Sequence, residues 1–193
     1  MTHLTIAAAL TAAVTALAAS TTPLAAQTFP PQHWATISGL VEVHPNGQPW
    51  ENTDPVDLMR IHEAFARWSL FYDEGRADLL PSLFTGEAEM IVTLGSAEPI
   101  ASFTGPQAMG DYVMSTLADQ KDQRRHAMSN VLIDEITDNT AKALAYGTVI
   151  QAADGLSVGA LVFYSGDLEK GDDGIWRFSR FVIGIDDYAG NLN

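Results

Sequence analysis

The sequence predicts an α+β domain, with a curved antiparallel sheet folded over N-terminal helices. Three observations carry this expectation. Apolar residues recur at three- and four-residue spacing between Asp54 and Tyr72, long alternating runs fill the chain beyond Arg124, and short polar turns separate those runs. At 193 residues and 47% hydrophobic content, the chain can bury the core of one domain and carry a tail besides.

The first 26 residues contain no Lys, Arg, Asp or Glu, and residues 6–19 are almost wholly Ala, Leu, Val and Thr, like the apolar part of a secretory signal. Residues 1–26 are therefore expected to be a signal peptide. Cleavage before Gln27 is favoured over a site after Ala18, and the protein is expected in a bacterial periplasm or secreted. No positive charge precedes the apolar run, so a misassigned start, and with it a cytoplasmic protein, is the alternative. Cysteine is absent, which removes disulfides, thiolate nucleophiles and Cys-ligated zinc. Residues 27–53 contain Pro30, Pro31, Pro45 and Pro49 and read as an extension that wraps the domain, with Phe29, Trp34 and Trp50 covering part of its core.

Asp54-Pro55 opens a helix: the carboxylate can accept orphan amide protons, and proline at the first helical position lacks an N–H that would have no partner there. Leu58, Ile61, Phe65, Trp68 and Tyr72 place one stripe toward the core, and Gly75 supplies the stop. Residues 76–84 read as a second short helix interrupted by Pro81. Residues 87–94 and 99–103 form a predicted hairpin, and Gly105-Pro106 begins a helix through Leu117. Four strands follow over 125–136, 140–152, 156–168 and 175–185, an antiparallel meander that completes a domain spanning 54–188, with a tail at 189–193.

The balance of 10 Lys+Arg against 24 Asp+Glu gives a formal charge of −14, which repels phosphate backbones and anionic lipid headgroups. Nucleic acid and membrane surfaces are thus not expected partners. His62-Glu63 is not followed by a second helical histidine, since position 66 is alanine, so no metal is expected. Neither a Gly-rich phosphate loop nor a Gly-x-Ser-x-Gly elbow is present, and no cofactor is expected.

The chemistry concentrates in two places. His126 opens a strand, and Asp73 lies in the last turn of the first helix, where the negative end of the helix dipole disfavours a carboxylate. An imidazole facing such a carboxylate is a general base with an orienting partner. Alternation puts Met128, Asn130 and Leu132 on the face of His126, so Met128 and Asn130 line any cavity that His126 enters, with Asn130 able to orient a substrate oxygen. Arg180 on the last strand is a candidate to stabilise developing negative charge, or else an ion-pair partner of a nearby carboxylate. Tyr112 and Tyr146 are candidate pocket walls, while Trp68 and Trp176 read as core. The competing interpretation of His126 is a histidine satisfied at a strand end beside Arg124 and Arg125.

From Asp54 to Tyr188 the chain resembles the SnoaL-like branch of the nuclear transport factor 2 superfamily. The residues that carry the resemblance are Tyr72-Asp73 before Gly75-Arg76-Ala77-Asp78-Leu79-Leu80, the Leu83-Phe84 then Gly86 break, Phe103-Thr104-Gly105-Pro106-Gln107, Arg125-His126 with Ser129-Asn130, and Gly174-Ile175-Trp176-Arg177-Phe178 with Arg180. The resemblance implies a cone-shaped α+β barrel enclosing a pocket, and a homodimer formed through the outer sheet face. It also implies, by similarity to the scytalone dehydratase and dehydrochlorinase members, that His126 abstracts a proton while Asp73 holds it, with Tyr72 beside them. No histidine follows Asn130 to match the dehydratase's second one, which argues against that particular substrate. The expected activity is a cofactor-independent lyase, of dehydratase or elimination type, on a small, largely apolar molecule. An isomerase or cyclase using the same dyad, or a non-catalytic ligand-binding or dimerisation domain, are the alternatives.

Overall fold

The computed structural model describes residues 30–45 and 53–188. The expected signal peptide, Phe29, Pro49, Trp50 and the tail at 189–193 lie outside the described residues. A short helix α1 (Trp34–Ile37) precedes α2 (Pro55–Asp73), a 3-10 turn (Leu80–Leu83), β1 (Phe84–Leu94), β2 (Pro99–Thr104) and α3 (Pro106–Ala118). Then come β3 (Gln123–Ile136), β4 (Thr140–Ala152), β5 (Leu156–Lys170) and β6 (Trp176–Tyr188). The six strands form one curved sheet in the order β2-β1-β6-β5-β4-β3. All neighbours are antiparallel except β1 and β6, which run parallel. Its edges, β2 and β3, stay unpaired with each other, so the cone is an open one.

The caps that the sequence announces are made. Asp54 Oδ1 accepts the Val56 amide at 2.9 Å, Pro55 begins α2, and Gly75 takes a left-handed φ of 62° just beyond its end. Ile61, Phe65 and Trp68 are buried and Leu58 and Tyr72 partly so, as the stripe requires. The segment after α2 departs from the expected helix: Pro81 falls within the first turn of a four-residue 3-10 element, too short to continue as an α-helix.

Two layers pack against the sheet. Inside, α2 lies over Ala141, Ala143, Ala145 and Val149 of β4 and over Tyr164, Phe178 and Phe181, in one continuous core. Phe65, Trp68, Phe84, Phe178 and Phe181 meet edge-on or tilted, with ring centroids 4.5 to 6.2 Å apart. Outside, the extension covers the sheet around Phe163 and Val182. The Trp34 ring packs on Phe163, with centroids 5.3 Å apart, and its indole donates to Asp186 Oδ1 at 2.6 Å. A side chain at Gly184 would collide with the Phe163 ring, so this glycine gives the outer aromatic pair its seat.

The start of α2 is stapled to the far end of the sheet. Asp57 is 7% exposed and accepts the Trp176 indole N–H at 2.9 Å and the Lys170 ammonium at 2.7 Å. Burial opposes its charge, but these two donors outweigh it and hold its pKa below the ordinary value of 3.8. Because the folded pKa is depressed, the stabilisation is fully present above the ordinary pKa and is lost as pH falls through the folded value. Asp57→Ala is expected to cost about 2–3 kcal/mol, since it leaves both donors unpaired. In thermal melts the gap between variant and wild type should narrow in acid below the ordinary carboxylate pKa and stay constant from pH 5 to 8.

Candidate active site

The C-terminal turn of α2 and the first residues of β3 come together so that Asp73 grips one residue twice. Asp73 Oδ2 accepts the His126 backbone amide at 2.8 Å, and Asp73 Oδ1 lies 2.5 Å from His126 Nδ1. The side chains are 6% and 9% exposed respectively. An ionised carboxylate only accepts hydrogen bonds, so Nδ1 carries the proton and the Nε2 lone pair is left outward. Nε2 has no hydrogen-bond partner among the described residues. Gln123 Nε2 donates to the Asp73 carbonyl at 3.3 Å, tying the helix end to the strand once more.

Aromatic groups surround the imidazole. The Tyr72 ring meets it edge-on with centroids 4.8 Å apart, packs on Trp68, and shares a 2.8 Å hydroxyl contact with Thr116 of α3. Burial raises the Tyr72 pKa. Tyr112 of α3 stacks on Phe103 at 4.4 Å, and burial, with Tyr72 nearby, raises its pKa too. Tyr164 of β5 is fully buried and lies against the bare backbone of Gly147, where a side chain would strike its ring, and burial pushes its phenol up. Tyr188 of β6 faces Arg124. Four of the five tyrosines thus gather on the inner side of the sheet, giving it weakly polar walls.

The structure places the expected site residues unequally. Asp73, His126, Tyr72, Tyr112 and Met128 come together on the inner side, Met128 packing against the core. Asn130 does not join them. It takes a left-handed φ of 50° in a β-bulge between Ser129 and Leu132, is exposed, and resets the alternation so that Val131 and Ile133 turn inward and Leu132 outward. Tyr146 is 59% exposed on the outer face, because Gly147 and Ala145 occupy the inward positions of β4. Arg180 shares the outward alternation of Val182 and Asp186, and its guanidinium lies 3.7 Å from Glu89, so it is a surface ion-pair residue and faces away from the dyad. A further acidic and histidine group exists at the surface, His44 with Asp134 and Glu135, where Lys142 already sits 3.4 Å from Glu135.

Sequence reasoning missed three members of the neighbourhood. Arg124 is on the inner face of β3, two residues before His126, with Asp122 Oδ2 3.1 Å from its Nε. Tyr188 and Thr116 complete the wall. The signal for Arg124 was present in the same alternation that placed Met128.

The SnoaL-like domain family matches residues 57–182, well over half of the chain. The chain belongs to this family. It is a branch of the nuclear transport factor 2 superfamily that includes dehydratases and isomerases. Solved structures agree on the fold. An NTF2-like protein with a cystatin-like fold from Novosphingobium aromaticivorans superposes with a TM-score of 0.60 at 21% identity, covering 71% of this chain and 85% of its own. A provisionally assigned scytalone dehydratase from the same organism gives 0.57 at 20% identity, with 72% and 92% covered. The beta subunit of a provisionally assigned aromatic-ring-hydroxylating dioxygenase, also from that organism, gives 0.61 at 18%, with 70% and 93% covered. No curated protein sequence matches the chain. At these identities the likeness shows architecture alone.

Replacing Asp73 tests the grip directly. In Asp73→Ala, the His126 ring should populate both neutral tautomers where the wild type holds the proton on Nδ1, as read from imidazole ¹⁵N shifts. The variant should also lose about 1–3 kcal/mol of stability, since a buried amide and an imidazole N–H are left without their acceptor.

Proposed function

We propose that the domain is a cofactor-independent lyase that eliminates a small leaving group, water or an equivalent, from a small, largely apolar molecule. The observation that supports this most is the double contact of Asp73 with His126. It fixes the ring and its tautomer before substrate arrives, so Nε2 is aimed as a base without reorganisation. As Nε2 takes a proton from the carbon beside an activating group, the imidazolium that forms faces the Asp73 carboxylate. The Tyr72 hydroxyl donates to Thr116 Oγ1, which itself donates to the Val113 carbonyl, so the Tyr72 ring is held as a fixed wall beside the base. An isomerase would use the same first step and return the proton elsewhere, so equal masses of substrate and product would select it.

A metabolite screen, with the product followed by mass spectrometry, checks the assignment. His126→Ala should remain folded and lose on the order of 10² to 10⁴ in turnover, the usual contribution of a positioned base. Turnover equal to wild type in a folded variant would remove the mechanism. We also propose that the protein is exported, which the uncharged apolar run at residues 6–19 supports, and that it pairs through the outer sheet face. Leu132, Tyr146, Ile150 and Leu161 remain exposed there beyond the part that Trp34 covers, which supports such pairing. Sedimentation of Tyr146→Glu should show a shift toward monomer.

A further inference from the structure

Arg124 shares the inner face of β3 with His126, about 7 Å along the strand, which is within the span of one small molecule. Its guanidinium is fixed from two sides. Asp122 Oδ2 and Oδ1 accept from Nε and Nη2 at 3.1 and 3.4 Å, and the Tyr188 ring lies beneath it with 5.7 Å from the guanidinium carbon to the ring centroid. Tyr188 belongs to β6, three strands from β3 in the sheet, so Arg124 reaches across the concave side to meet it. Only 18% of the arginine side chain is exposed; Asp122 engages its Nε and Nη2, and the Tyr188 side chain is its other hydrogen-bonding neighbour. Burial opposes the charge, but Asp122 and Tyr188 together keep the arginine pKa above its ordinary value.

Resting on the reading of His126 as a base, we infer that Arg124 is a further catalytic residue whose guanidinium binds the oxygen that becomes anionic as His126 takes the proton, and that the substrate is a neutral, enolisable carbonyl compound or its vinylogue. The step balances as a proton transfer. The C–H bond breaks, its proton goes to Nε2, its electron pair forms a carbon–carbon double bond, and the carbonyl pair moves onto the oxygen facing Arg124. The local charges select a neutral substrate. Asp73 and Asp122 set two negative charges against the single positive charge of Arg124, while the nearby Arg125 and Glu74 pair with each other at 2.7 Å. An acid already ionised would add a second net negative charge to a half-closed site. A neutral ketone adds none, and proton transfer creates the imidazolium and the enolate together.

The probe is 4-nitrophenol, whose ionised form is coloured and which, like the substrate, enters neutral and can hand its proton to His126. One pH unit below the free probe's own pKa, the wild-type protein should bind it as the coloured phenolate and at least about tenfold more tightly than 4-nitroanisole, which has no proton to give. Arg124→Met should lose both the colour and that preference, and Arg124→Lys should restore part of each. Asp122→Asn retains the arginine but removes its counter-charge, so it should tighten binding of 4-nitrobenzoate, a readout that survives if Arg124→Met does not fold. The inference is overturned if Arg124→Met keeps the coloured complex, if Asp122→Asn leaves benzoate binding unchanged, or if wild type binds neither probe. His126→Gln separates the two proposals. Colour that needs His126 but not Arg124 overturns this inference alone, whereas colour that ignores His126 removes the base itself.

Discussion

A carboxylate at the C-terminal end of a helix faces the negative pole of that helix, at a cost of about 0.3–1 kcal/mol. Asp73 occupies such a position, and two donors from a single residue of β3 hold it there. Each hydrogen bond to a charged group is worth roughly 1.5–3 kcal/mol, so the contact outweighs the dipole penalty. Much follows from that grip. β3 is an edge strand, paired only with β4 along one side, and Asp73 pins its opening residues to α2. The same contact sets the direction in which the imidazole points. Structure and chemistry at this spot therefore rest on one pair of oxygens.

The inner surface of β4 makes the approach possible. Ala141, Ala143, Ala145 and Gly147 alternate inward as small side chains, and the bulky partners come from across the concave side, from Phe65 and Trp68 of α2 and from Tyr164 of the next strand. A wall of small residues lets the sheet bend toward the helix, while Tyr164 fills the space above Gly147 and brings its phenol toward Tyr72. The curvature, the aromatic packing and the position of the dyad thus have a common origin in side-chain size.

Legibility in the sequence followed the range of the interaction. The caps of α2, its buried stripe, the hairpin and the meander all depend on residues close in the chain, and their patterns were readable at Asp54-Pro55, at Gly75 and in the alternation of β4. The pairing of Asp73 with His126 could be anticipated because family resemblance and strand alternation agreed on it. What stayed hidden depends on events that alternation does not record. The bulge at Asn130 slips the register by a residue and sends Leu132 outward, and bulges on β6 and its neighbours leave Arg180 on the surface beside Glu89. Tyr146 was misjudged because an aromatic on a strand reads equally well on either face. Arg124 was overlooked because a charged residue beside other charged residues looks solvated until a distant tyrosine is placed beneath it.

The parallel contact between β1 and β6 has a consequence for how the chain acquires its shape. β6 lies in the middle of the sheet, with Phe178 and Phe181 beneath it and Val182 above, yet among the described strands it is the last in chain order. Before it arrives, the β1–β2 hairpin and the β3–β5 ribbon have no common border, and the two largest clusters of apolar side chains lack their shared member. The keystone is the last of the six in chain order, so the sheet becomes continuous only through a long-range step that joins β6 to β1. Truncation ahead of Trp176 would therefore yield two half-sheets with exposed edges, prone to pair with other chains.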